Sequence, residues 1–484
     1  MPIPRYAWRI LPLAALLAAA CADLPTPVRP AGDLARSEAA AAELLDPQRL
    51  LSDEELVTPE DTAALPVNPL WSRWLQESHL PIRSLTSTRF DDLQALRPLF
   101  EGKRIVQLGE SGHGVREFNQ SKVRLIKFLH EEMGYDVVAF ESGLLECAIQ
   151  DWRAPTATSA AGLMWGCVYG VWYTREVLDL FEYVRATWKT PRPLHIAGLD
   201  IQPNGPNAAP RQLLFDFVSA VDTAYAREVA ALETDFLNAY WGAYRLPYDQ
   251  RAARWRELEA TVGYRARFGA LVRFFDDHAA EMAGVHPDQP ALLPLVRQHA
   301  YSRTRLVDVE VAGFDDHAGS TEARDEGMAD NLDALLDRAY PGKKVVVWAH
   351  NVHVRHDQAS VFRPGPAELR SRTMGSWVSE RRRPELYTVG LYMYRGQAVF
   401  NNRQVYDVLP PATVGSLEAL FYTVRRKHFF VDLLGAGRTP GSEWMDHPIS
   451  AREWGRSDDR MVLRDQYDAI LFVDSVTPPE YRLF

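Results

Sequence analysis

Four short apolar runs in this chain each end in a group that can titrate. Ile105–Leu108 runs into Gly109-Glu110-Ser111-Gly112-His113-Gly114, and Val137–Phe140 into Glu141. His195–Leu199 is followed by Asp200, and Val345–Ala349 by His350-Asn351-Val352-His353. Histidine is the side chain whose ordinary pKa suits proton transfer at neutral pH, so His113 is a candidate general base. Glu110, three residues earlier, can orient its ring. Glu141, at the end of an apolar run, must be desolvated or paired with a cation, with a histidine or Lys122 as partner; the alternative is a helix-capping carboxylate. His350, His353 and His356 recur every three residues, a spacing that suits a metal ion or donors to a developing oxyanion. His356, next to Asp357 in a polar stretch, reads as a solvated surface residue.

Two other chemistries do not fit. A nucleophile elbow needs Gly-x-Ser-x-Gly, and the residue that would be its second glycine is His113, which weakens Ser111 as a nucleophile. The Gly-x-Gly-x-x-Gly spacing of a dinucleotide loop is absent too.

For these groups to meet, their runs must be parallel strands of one open sheet, whose sites form at the carboxyl edge. The intervening patterns agree. Residues 121–133 carry apolar side chains at helical spacing and stop at Gly134, so 104–141 reads as a βαβ unit. Helices are expected over 91–100 and 175–189. Residues 207–340 read as almost continuous helix, broken near 245–248 and 285–290, a helical insertion placed to cap the cleft. Arg324-Asp325-Glu326 lies on an acidic helix face within it. The sheet resumes at Lys344, with later strands expected over 386–392, 428–433 and 469–474. The expected fold is α/β, a mostly parallel central sheet flanked by helices, spanning 69–484.

The chain has 484 residues, 46% hydrophobic with 13 tryptophans, enough for a large core. Its 54 basic and 64 acidic residues give a net charge of −10, and no basic stripe points to nucleic acid. Arg5 and Arg9 precede the apolar stretch Ile10–Ala20, too short to span a bilayer, which ends at Cys21. Small residues before a cysteine resemble a lipoprotein signal, with ordinary secretion as the alternative. Residues 1–20 are thus expected to be a signal peptide, Cys21 a lipid anchor to the outer membrane facing the periplasm, and 22–68 a flexible tether. Cys147 and Cys167 would then sit in an oxidising compartment, either disulfide-bonded or as buried thiols.

Taken together these segments resemble the erythromycin esterase family. The resemblance is carried by Gly109-Glu110-x-x-His113-Gly114 with Arg116-Glu117-Phe118 and Lys122, by Ala139-Phe140-Glu141 and by Gly198-x-Asp200. It continues through Arg324-Asp325-x-x-Met328-Ala329-x-Asn331, Trp348-Ala349-His350-Asn351-x-His353, Met374-Gly375, Val389-Gly390 and Tyr467-Asp468-Ala469. It implies a hydrolase that cleaves an ester or lactone, such as a macrolide macrolactone, without a covalent intermediate. His113 would take a proton from water, Glu110 would orient it, Glu141 would support the base or the water, and His350 and His353 would act at the carbonyl oxygen. Lys122, Arg116, Asp200 and Arg324 are the implied substrate-binding groups; some members carry Arg at the Lys122 position, and lysine lacks the planar fork for bidentate pairing. No cofactor is required by this reading, although a divalent metal would be compatible with the histidines and carboxylates. The competing expectations are a metal- or haem-binding surface lipoprotein and a noncatalytic binding protein.

Overall fold

The computed structural model describes residues 67–205, 208–313, 315–363, 371–412 and 415–482. The expected signal peptide, Cys21 and nearly all of the tether lie outside them. The described chain opens with Asn68, whose side chain accepts the amide of Leu70 and caps the helix Pro69–Ser78.

Eleven strands follow, in chain order β1 (Leu80–Pro81), β2 (Ile105–Leu108), β3 (Tyr135–Gly143), β4 (His195–Asp200), β5 (Lys344–Trp348), β6 (Leu386–Val399), β7 (Val405–Val408), β8 (His428–Asp432), β9 (Ile449–Glu453), β10 (Ser457–Met461) and β11 (Ala469–Val476). Nine form one sheet in the order β1-β8-β11-β6-β2-β5-β3-β4, with β7 on β6; β9 and β10 form a separate hairpin. The six strands from β11 to β4 are parallel to their neighbours. Alternate side chains along each strand enter opposite layers. Ile105, Val137, Val345 and Val347 belong to one hydrophobic cluster, and Val106, Leu108, Val138, Phe140, Val346 and Trp348 to the other. Burial on both faces is why these strands read as unbroken apolar runs rather than as alternating ones.

One layer is made by the helices Arg116–Met133, Ala160–Cys167 and Arg175–Thr187; the helix Leu144–Arg153 sends Leu144, Leu145, Ala148 and Ile149 into the other cluster, and a disulfide joins its Cys147 to Cys167. The insertion is helical as expected, with breaks near 245–248 and 283–291 and others at 220–222, Gly263, His278 and Gly313. Its last long helix, His317–Ala334, packs on β4, where the Asn331 amide donates to the Leu199 carbonyl at 2.9 Å. Among the described residues no helix is long and apolar enough to cross a membrane.

Register places the chemistry. Leu108 pairs with Trp348, Trp348 with Phe140, and Phe140 with Gly198, so the residues that follow emerge at one level of the carboxyl edge. The β3–β4 pairing then slips between Phe140 and Gly143, and this bulge re-aims Glu141. Gly198 permits the close approach, because a Cβ there would lie 2.2 Å from the Gly143 carbonyl oxygen. Gly198→Ala is therefore expected to push β3 off β4 at a cost of about 1–3 kcal/mol, read as a lower denaturant midpoint; an unchanged midpoint would show that the strands are not so tightly apposed.

Candidate active site

The loop after β2 runs along the β6 backbone. Gly109 donates to the Val389 carbonyl at 2.8 Å and Ser111 to that of Leu391 at 3.1 Å. Gly114 abuts Val399 so closely that a Cβ would sit 2.0 Å from its carbonyl oxygen. The loop thereby turns Glu110 and His113 inward, both buried. Nδ1 of His113 lies 2.6 Å from Oε1 of Glu110, which also accepts from the Trp172 indole at 3.2 Å. Oε2 of the same carboxylate lies 2.7 Å from Nζ of Lys122, which sits over the Trp348 ring and donates to the Ala349 carbonyl. Burial lowers the Lys122 pKa to about 8 against the opposing pull of Glu110 and Glu141.

Glu141 is held from three directions. Arg324 Nη2 reaches its Oε1 at 3.0 Å, His353 Nε2 lies 3.2 Å from the same oxygen, and the backbone N–H of His350 donates to Oε2 at 3.0 Å. Burial alone would raise this carboxyl, yet His353, Arg324 and His113 together keep it well below the usual range. Arg324 also forks onto Asp200, Nε to Oδ1 at 3.2 Å and Nη2 to Oδ2 at 2.5 Å. Nδ1 of His353 contacts Asp325 Oδ1 at 2.6 Å, so both ring nitrogens face carboxylates.

His350 caps the short helix Asn351–Val354, its Nδ1 accepting the Val352 N–H at 3.3 Å. The neutral ring consequently carries its proton on Nε2. Burial depresses its pKa well below the ordinary value, with His113, His353 and Arg355 adding to the effect against Glu141, so the ring is neutral at pH 7. The His113 and His350 rings are 5.1 Å apart. Trp454, in the β9–β10 turn at φ 56°, stacks on His350 at 5.5 Å and meets His113 edge-on at 5.6 Å, with Trp172 on the other side of His113 at 5.0 Å.

Eight of the nine residues singled out from sequence thus meet: Glu110, His113, Lys122, Glu141, Asp200, Arg324, His350 and His353. Arg116 does not join them; it opens a helix and pairs with Glu176 at 3.2 Å. Lys122, fully buried, lies behind Glu110, and Asp200 is occupied by Arg324. His356 is not a solvated surface group: its side chain is tucked in 3.7 Å from Asp468, and burial lowers its pKa to about 4. Among the described residues no group of three or more His, Cys, Asp or Glu is arranged to hold a metal ion, which leaves the metal-binding alternative without support. Sequence reasoning missed Trp172, Trp454 and Glu453. Only Glu453 carried a signal, since it shares the inward parity of Ile449 and Ala451 along a strand.

The family model described as Erythromycin esterase matches residues 130–476. Putative hydrolase YbfO of Bacillus subtilis (strain 168) is 32% identical over 426 residues, covering 84% of this chain and 91% of that one. The chain belongs to the erythromycin esterase family. Erythromycin esterase type II of Escherichia coli is 24% identical, over 59% of this chain and 69% of that protein. In fold, the chain matches a mutant of the erythromycin esterase EreC in its open conformation, with TM-score 0.60 at 20% identity over 82% of this chain and 96% of that one. It also matches a succinoglycan biosynthesis protein, with TM-score 0.69 at 18% identity over 85% and 98%. Membership makes this protein a hydrolase acting on a small molecule.

The charge arrangement carries a stability consequence. Arg324→Met leaves Glu141 and Asp200 buried without their shared cation, a loss of about 3–5 kcal/mol at pH 7 by denaturant unfolding. Because the folded pKa of Glu141 lies below its ordinary 4.5, its contribution is present above that pH and fades as pH falls through the depressed folded value. The gap between wild type and variant is accordingly expected to narrow on acidification. A gap that is constant or absent would show that Arg324 does not neutralise this pair.

Proposed function

We propose that this protein hydrolyses a carboxylic ester or lactone by direct attack of water, with His113 as general base. The observation that carries this reading is the Glu110–His113 contact at 2.6 Å, facing a neutral His350 ring 5.1 Å away. With Nδ1 tied to a carboxylate, His113 presents its lone pair on Nε2. Water loses a proton to that nitrogen while its oxygen attacks the carbonyl carbon, and the carbonyl π pair moves onto oxygen. Nε2–H of His350 donates to the resulting oxyanion, which a preorganised donor in a dry site stabilises strongly. Collapse reforms the carbonyl and breaks the bond to the leaving oxygen, which takes the proton back from His113. The products are an acid and an alcohol.

Several features favour water over an acyl-enzyme. Ser111, the hydroxyl nearest the base in sequence, makes no hydrogen bond through its buried Oγ, so no base activates it. Arg324 pairs with both Glu141 and Asp200, and His353 holds Glu141 rather than the substrate oxygen. No step passes through a metal. Macrolactones belong among the candidate substrates because relatives named erythromycin esterase share the family. We further propose that the protein is exported as a lipid-anchored outer-membrane protein: the N-terminal pattern suggests it, and the Cys147–Cys167 disulfide suits an oxidising compartment.

The test is a panel of aryl, aliphatic and macrocyclic esters with mass-spectrometric detection of products, run with and without chelator. His113→Ala is expected to lower kcat by ~10²–10⁴-fold with unchanged unfolding behaviour, since Lys122 and Trp172 still hold Glu110. Wild-type progress curves should lack an acyl-enzyme burst, and chelator should leave them unchanged. Full turnover by a folded His113→Ala variant would reject the assignment.

A further inference from the structure

Glu453 lies outside every motif that drew attention to the site, yet it points into it. It ends β9 and is fully buried. Its Oε1 accepts from Arg355 and faces the Tyr392 hydroxyl at 3.5 Å. Its Oε2 turns toward His350 and lies 3.6 Å from Nε2. Neither Oε2 of Glu453 nor Nε2 of His350 closes a hydrogen bond. Buried polar atoms left open in this way are rare in native proteins and call for a functional reason. One oxygen atom placed about 2.8 Å from each, ordinary hydrogen-bond distance, would complete both.

We propose that Glu453, as the neutral acid, donates from Oε2 to the ester carbonyl oxygen beside the Nε2–H of His350, so that the two groups form a paired oxyanion site. This rests on the ester-hydrolysis reading above. It assigns a donor to an oxygen that His350 alone would leave half-coordinated. An ionised carboxylate at the same place would instead repel the developing negative charge.

The surroundings favour the acid form. Facing Glu453 are His350, Arg355, Arg363, Asp459, Tyr392 and Tyr467, with Tyr406 further out. Asp459 engages Arg363 at 2.5 and 2.7 Å and shares Arg355 at 2.8 Å; the remaining donors of Arg355 go to Gln358, to the Tyr392 and Tyr467 hydroxyls and to Oε1 of Glu453, which as the carbonyl oxygen of the acid still accepts. Burial raises the Glu453 pKa to about 7; Asp459 reinforces the rise, while Arg355, Arg363 and the Asn351 amide oppose it. His350 is neutral and both tyrosines are held in their protonated form, so none of the three adds a positive charge that would draw off the carboxyl proton. Trp454, the next residue, stacks on the His350 ring and meets His113 edge-on, setting an apolar wall beside the pair.

In the reaction, the carbonyl π pair that shifts onto oxygen is met by two N–H and O–H donors, and neither proton is transferred. The only proton that moves is the one carried by His113 from water to the leaving oxygen, so the overall balance remains ester plus water to acid plus alcohol. The alkaline limit of kcat then belongs to Glu453, whose ionisation removes one donor.

The experiment compares wild type, Glu453→Gln, Glu453→Ala and His113→Ala on whichever ester of the panel is turned over fastest, with kcat and KM followed from about pH 6 to 9 and thermal unfolding of each variant. Glu453→Ala should lower kcat ~10²–10³-fold with a smaller change in KM. Glu453→Gln keeps an N–H donor at the same place and should retain most of the activity, while losing the alkaline decline that wild type shows. The proposal falls if folded Glu453→Ala keeps wild-type kcat, if folded Glu453→Gln is as impaired as alanine, or if the glutamine variant keeps the same alkaline decline. Should the alanine variant not fold, the wild-type and glutamine pH profiles decide. Activity lost in His113→Ala but intact in Glu453→Ala removes the second donor and leaves the esterase reading standing. Activity that survives His113→Ala but follows Glu453 as described does the reverse. A wild type that turns over no ester at all refutes both.

Discussion

Ionised carboxylates cannot remain in a dry interior unless other groups compensate them, and that requirement organises this molecule. Glu110, Glu141 and Asp200 stand at the ends of three parallel strands with almost no solvent contact. Each is neutralised by a group from another element: Glu110 by Lys122 on the helix after its own loop, Glu141 and Asp200 by Arg324 on the insertion. Desolvation makes such pairs expensive to assemble and more expensive to break. The site is therefore tied rigidly to the sheet on one side and to the insertion on the other. A rigid array of charges and dipoles is what stabilises charge as it develops in a transition state, because nothing has to reorganise at that moment.

Two histidines of the same chemistry acquire opposite characters from their surroundings. A carboxylate stands behind His113 and can support positive charge on the ring as it takes a proton. His350 has a backbone N–H on its inner nitrogen, a second imidazole beside it and Arg355 nearby, so a positive charge there is opposed from several sides. One ring is thus disposed to accept a proton and the other to remain a neutral donor. Division of acid and base roles by environment rather than by residue type is a general way to run both at one pH. The aromatic walls, Trp172 and Trp454, keep the space between the rings apolar and so strengthen the electrostatic terms across it.

Much of this could be read from the chain itself. The apolar runs ending at Leu108, Phe140, Leu199 and Ala349 are strands that terminate at one edge, because a strand buried on both faces must be apolar throughout and a parallel sheet delivers the following residues to one rim. The helical insertion was visible as a long stretch of helix-like sequence without strand runs, and its reach to the site from the Arg324 motif. Less was visible where parity or solvent exposure depends on neighbours. Arg116 and Arg324 are both arginines in helices, but only the second faces the edge, since the Asn331 bond to β4 fixes the rotation of its helix. His356 sits in a polar stretch and is nevertheless enclosed, because Gln466 and Asp468 come over it from far along the chain.

Local composition determined that there would be a buried parallel sheet, that its strand ends would carry carboxylates and imidazoles, and that no serine elbow would accompany them; these follow from residue type and short-range spacing. Strand order was decided by the tertiary structure alone. β5, which arrives after the whole insertion, slots between β2 and β3 and so sets His350 between Glu110 and Glu141. The β9–β10 hairpin then brings Glu453 within 3.6 Å of His350 and stacks Trp454 on that ring, although nothing in its own sequence beyond the parity of Glu453 points to the site. Contacts between residues hundreds of positions apart depend on register and packing summed over the whole core, and that information resides in no single segment.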